Sequence, residues 1–197
     1  MIPLRKRKIL EEFNRTVKKY KMPENIFITN SKELIIPSGN FKYSEYFHPS
    51  TGGHGEFHMP LCLAKANQFI RDYYSAKYNY PIPWTITSTY RPNSWGDHKT
   101  GNAVDSVPSK LSLRTEIFND ITNEFKNWLN SELVKGILST GVTVGIIENV
   151  CLHLAYRTHK LNNHPMYDPP MFYLGRWKPT PKGQEAEYPY GVNTCYA

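Results

Sequence analysis

Apolar positions recur at intervals of three and four residues in three stretches and alternate with polar ones in several others, so the chain mixes helices and strands. Leu10, Phe13, Val17 and Tyr20 predict an amphipathic helix over residues 1–22, with Pro23 just past its end. Two short runs, Ile26-Phe27-Ile28 and Leu34-Ile35-Ile36, are consistent with small strands or an extended arm. A second helix is expected over residues 60–78: Pro60 suits a first helical position, and Leu63, Ala66, Phe69, Ile70 and Tyr73 share a face. The β-branched run Trp84-Thr85-Ile86-Thr87-Ser88 predicts a strand, and residues 103–107 another. Leu113, Ile117, Ile121, Phe125, Trp128 and Leu129 form the stripe of a third helix, with Ser112 placed to cap it.

Downstream, a short helical or irregular piece precedes two strands, 141–147 and 150–156, joined at Glu148-Asn149 as a hairpin. Alternation puts Cys151, His153, Ala155 and Arg157 on one face of the second and Leu152, Leu154 and Tyr156 on the other. Residues 160–197 are rich in Pro, Tyr and Gly without periodicity and are expected to form an extended tail. The chain therefore divides into a basic helix and arm (1–40), a central domain (41–159) and the tail (160–197). An α+β fold is expected, with a small, mostly antiparallel sheet and helices packed on one side.

Composition narrows the setting. A chain of 197 residues with 40% apolar residues can bury a core. No run approaches the roughly 20 apolar residues of a membrane span, and residues 1–8 lack a signal peptide's apolar core. Cys62, Cys151 and Cys195 are odd in number and far apart, which points away from a disulfide framework and toward synthesis in a reducing compartment. The net charge of +7 is local: residues 1–22 carry eight Lys or Arg against two Glu, or +6. A nucleic-acid binder would spread its cations over a recognisable module, so no nucleic-acid partner is expected.

The candidate chemistry lies between the strands. A hydrolytic metal site needs about three His, Asp or Glu ligands. His98 and Asp105 flank one turn, and His153 lies on the more polar face of a later strand. Gly101 lets the backbone turn between the first two, and Ala103 leaves room beside a metal. Spacing alone is a weak signal, since a polar His or Asp in a loop is usually a solvated or capping residue.

The segments Ile86-Thr87-Ser88-Thr89-Tyr90-Arg91-Pro92, His98-x-x-Gly101-x-Ala103-x-Asp105 and Val150-Cys151-Leu152-His153-Leu154, in that order, resemble the zinc D-Ala-D-Ala carboxypeptidase family. That family includes dipeptidases, phage endolysins and the hedgehog signalling domain, and the resemblance spans about residues 41–157. It implies a hedgehog or DD-peptidase-like fold, zinc on His98, Asp105 and His153, and Arg91 holding the scissile carbonyl or the substrate carboxylate. The implied activity is cleavage of peptidoglycan stem peptides by a phage or prophage cell-wall hydrolase, made in the host cytoplasm and acting at the wall. Departures are Gly96, where the family has Ser, and Ala155, where members carry an acid. Glu148, five residues before His153, is then the candidate general base, with Asp97 second.

A virion component that keeps the fold but has lost catalysis is the alternative, reaching other virion proteins through the basic helix and the tail. His48, His54 and His58 are read as rim or surface groups, Cys151 as a small buried thiol, and Trp177 with the tail tyrosines as packing residues.

Overall fold

A computed structural model describes residues 24–49, 55–94, 96–128, 130–148, 151–157, 171–174, 176–180 and 183–187. The helix expected over residues 1–22, His54, Leu129 and the tail segments 160–170 and 188–197 lie outside them. In order, the elements are β1 (Asn25–Ile28), α1 (Tyr43–Phe47), β2 (Phe57–Pro60), α2 (Leu61–Lys77), β3 (Trp84–Ser88), a 3-10 turn (Asp97–Thr100), β4 (Ala103–Pro108), α3 (Leu111–Lys126) and α4 (Glu132–Ser139). Strands β5 (Val144–Glu148), β6 (Cys151–Ala155), β7 (Met171–Leu174), β8 (Arg176–Thr180) and β9 (Gly183–Glu187) complete them. The fold is α+β.

Five strands form the main sheet in the order β3-β4-β6-β5-β7, antiparallel except for the β5–β7 pair. Period-two alternation splits this sheet into two faces. Ile86, Val104, Ile147, Leu152 and Leu154 join Leu63, Ile70, Ile117, Ile121, Phe125, Val134 and Ile137 of the three long helices in one buried cluster. Asp105 and His153 point the other way from Val104 and Leu154, their neighbours in the chain. A one-residue slip of β6 would exchange His153 for Leu152, so the hydrophobic face fixes the register that the polar face uses.

The helices depart from expectation mainly at their starts. Pro60 is the last residue of β2 and the cap of α2 rather than its first helical residue. Helix α3 begins at Leu111, which places Ser112 inside the first turn instead of at the cap; the guanidinium of Arg114 covers the Pro108 carbonyl at 3.1–3.2 Å. The serine that does cap is Ser131, whose Oγ accepts the Val134 N–H at 3.0 Å and starts α4. Helix α2 is buried around most of its circumference, with Tyr74 fully buried where Tyr73 was expected to point inward.

The outlying segments also pair. β1 is antiparallel to β2, with Phe27 opposite His58, so the Ile26-Phe27-Ile28 run is a strand. Within the stretch read as an extended tail, β7 adds to the β5 edge of the sheet, and Phe172 is buried against Phe125 with ring centroids 5.2 Å apart. β8 and β9 form a separate hairpin.

Candidate metal centre

Adjacent strands β4 and β6 set Asp105 directly opposite His153. His98 reaches the same point from the 3-10 turn that leads into β4. Gly101 makes this turn feasible: its φ is +74°, and a Cβ there would lie 2.4 Å from the His58 carbonyl oxygen, so a side chain is excluded by both conformation and space.

All three side chains are buried, at 4% for His98 and 7% for Asp105 and His153. Asp105 Oδ1 lies 2.8 Å from His153 Nδ1 and 3.1 Å from His98 Nε2, and the two nitrogens are 3.2 Å apart. His98 Nδ1 is 2.6 Å from the Thr89 carbonyl oxygen. A carbonyl can only accept, so Nδ1 carries the proton, and in a neutral imidazole Nε2 turns its lone pair to the centre. Without a cation or an extra proton, that lone pair faces a carboxylate oxygen. Three ligand atoms within 4.8 Å of one another, supplied by two imidazoles and one carboxylate, could hold a metal ion.

Electrostatics report the same coupling. Burial alone would raise the Asp105 carboxyl, but hydrogen bonds from His153 and His98, and their charge, hold it well below the usual carboxylate range. Burial alone would lower His153, yet its hydrogen bond to Asp105 and the negative charge of Asp105, with smaller contributions from Glu148 and Asp97, raise it above 6.5. Each group therefore favours its charged form in the metal-free protein.

Around this core, Glu148 ends β5 opposite Cys151. One of its carboxylate oxygens, the Cys151 sulfur and an Asp105 oxygen all lie within 4.8 Å of one another. Burial first, then the charges of Asp105 and Glu148, push the Cys151 thiol well up, so it stays protonated. Arg91 brings one guanidinium nitrogen to 3.7 Å from Asp105 Oδ2, and its half-exposed side chain keeps a buried Nε with no hydrogen-bond partner. Asp97 is differently placed: both its oxygens engage Arg157, with Nε to Oδ1 at 3.3 Å and a shorter contact from the guanidinium to Oδ2. Ala155 is fully buried between Ala103 and Val144, so no acid near its position reaches the centre from β6. His48 and His58 are exposed, the first edge-on to Phe47 and the second tilted against Phe27, and neither belongs to a candidate ligand group among the described residues.

The structure thus brings together His98, Asp105, His153, Glu148 and Arg91. Two contacts escaped the spacing argument. The Thr89 carbonyl is a backbone group with no residue signature. The Asp97–Arg157 pair spans sixty residues, although alternation along β6 had already put Arg157 on the His153 face. Scans of family models find none that matches this chain, and comparisons with curated proteins and with solved structures return no match either.

Proposed function

We propose that the chain is a zinc-dependent peptidase that cleaves peptide bonds in peptidoglycan stem peptides and acts at the bacterial cell wall. The observation that carries this reading is the convergence of His98, Asp105 and His153 with Glu148 beside them. Ligands about 2.0–2.1 Å from a tetrahedral zinc lie about 3.3 Å from one another. The observed 2.8, 3.1 and 3.2 Å separations are near that spacing, so the donors fit zinc in type and geometry. The substrate class comes from the resemblance of residues 86–92, 98–105 and 150–154 to the D-Ala-D-Ala carboxypeptidases.

When bound, zinc supplies a Lewis acid and an acidified water. The remaining work falls to side chains. Glu148 takes the proton of the attacking water and returns it to the leaving amine, a role worth about 10²–10⁴-fold in rate. Arg91, whose Nε has no hydrogen-bond partner and whose guanidinium lies 3.7 Å from Asp105, orients the substrate's carbonyl or carboxylate. Asp97 takes no part in proton transfer, because Arg157 occupies its carboxylate.

The test is digestion of purified cell-wall fragments, read by mass spectrometry of the released peptides. Glu148→Gln should keep the metal and lose at least about 100-fold in rate. Zinc-loaded wild-type chain that releases no peptide would leave a metal-binding module without this chemistry. Wild-type rates in the Glu148→Gln variant would remove Glu148 from its role.

A further inference from the structure

We propose that the part-buried Asp97–Arg157 ion pair is the positioning device of the metal centre, latching the turn that carries His98 to the strand end beyond His153 and thereby setting affinity for the cation. The inference rests on the metal-binding reading of His98, Asp105 and His153, and adds the pair that brings the first of these ligands to the other two.

Asp105 and His153 need no such help, since sheet hydrogen bonds hold β4 and β6 in register. His98 is different. It sits on a four-residue turn outside the sheet, bracketed by Gly96 at φ +79° and Gly101 at φ +74°. On the side away from the other two ligands, a hydrogen bond from His98 Nδ1 to the Thr89 carbonyl orients the ring. The turn itself is held by the Arg91 N–H, which donates to the His98 carbonyl at 2.9 Å, and by its own first residue, Asp97. Asp97 receives Nε and a terminal nitrogen of Arg157 on its two oxygens, a paired geometry that fixes orientation as well as distance. The two side chains are only 12% and 7% exposed.

Arg157 is in turn anchored. Its N–H donates to Thr143 Oγ1 at 2.8 Å, and the same hydroxyl donates to the Arg157 carbonyl at 2.8 Å. A parallel backbone link runs from Asn102 N–H to the Asp97 carbonyl and from Tyr156 N–H to the Asn102 carbonyl, each 2.9 Å. The His98 turn is therefore tied to the residues just past β6 by side chain and backbone together. Removing the guanidinium would leave a largely desolvated carboxylate unpaired next to His98 and drive the turn outward. Loss of groups that orient metal ligands lowers metal affinity about 10–100-fold.

The experiment titrates Zn²⁺ into the full-length metal-free chain against a chromogenic chelator, for wild type, Arg157→Met, Arg157→Lys, Asp97→Asn and His98→Ala. Circular dichroism and thermal melting of each metal-free chain run alongside. Arg157→Met should stay folded and bind zinc about 10–100-fold more weakly. Arg157→Lys, which keeps the charge but not the fork, should recover part of that loss, and the visible bands of the Co²⁺-loaded chain should shift in Arg157→Met. Should Arg157→Met fail to fold, Asp97→Asn decides, with weaker zinc binding expected in a chain of nearly unchanged shape. Wild-type affinity in a folded Arg157→Met or Asp97→Asn chain, where His98→Ala abolishes binding, overturns this inference alone. Wild-type affinity in His98→Ala as well overturns the metal reading beneath it.

Discussion

His153 and Asp105 respond to pH in opposite senses, and the difference makes the site testable without substrate. Asp105 has a folded-state pKa below its ordinary 3.8, so its contribution to stability is present above that value and is lost as pH falls through the folded pKa. His153 is raised above 6.5, so its contribution is complete below 6.5 and is lost as pH rises through its folded pKa. The metal-free chain should therefore lose stability as pH climbs above 6.5. Zinc binding runs the other way, since imidazoles must be deprotonated to coordinate. Melting curves of chelator-treated and zinc-saturated protein should diverge with rising pH; parallel curves would show that His153 is not a ligand. At this scale the sequence was informative about types and poor about partners. His98, Asp105 and His153 were singled out by ligand type together with the resemblance, whereas the orienting carbonyl of Thr89 and the guanidinium of Arg157 act through distances that only folding creates.

Among the elements, those whose burial follows a simple period were legible. The stripe of α3 buries Ile117, Ile121 and Phe125, and alternation along β6 separates His153 from Leu152 and Leu154 as expected. Helix starts were less legible, because Pro60 and Ser112 satisfy local preferences that the preceding strands override. β7 was not legible at all: its four residues pair in parallel with a distant strand, and Phe172 fits because Gly145 leaves room, a Cβ there falling 2.7 Å from the ring. Close approach also governs α2 against α4. Replacing a helical glycine by alanine usually gains about 1 kcal/mol. At Gly136 the new Cβ would fall 1.9 Å from the Phe69 ring. Gly136→Ala should therefore cost about 1–3 kcal/mol, read as a lower denaturation midpoint. A gain in stability would mean that these helices are not packed at that point.

For the whole molecule, the central prediction is thermodynamic coupling between metal and fold. The ligands come from the 3-10 turn, β4 and β6, so a cation would cross-link segments that the unfolded chain leaves apart. Zinc at about 1,000 times its dissociation constant should add about 4 kcal/mol to stability. For a chain of this size that is a rise in melting temperature of about 8–16 °C. The α+β class and the two-faced sheet were readable from periodicity, but the order β3-β4-β6-β5-β7 was not, since it depends on pairings between residues dozens of positions apart. No helix among the described residues is long and apolar enough to cross a membrane. The most direct measurement is the zinc content of the purified chain by elemental analysis, for wild type, His98→Ala and His153→Ala. The account predicts one zinc per wild-type chain and its loss from both folded variants; wild-type chain that takes up no zinc, or variants that keep it, would contradict the assignment of His98, Asp105 and His153.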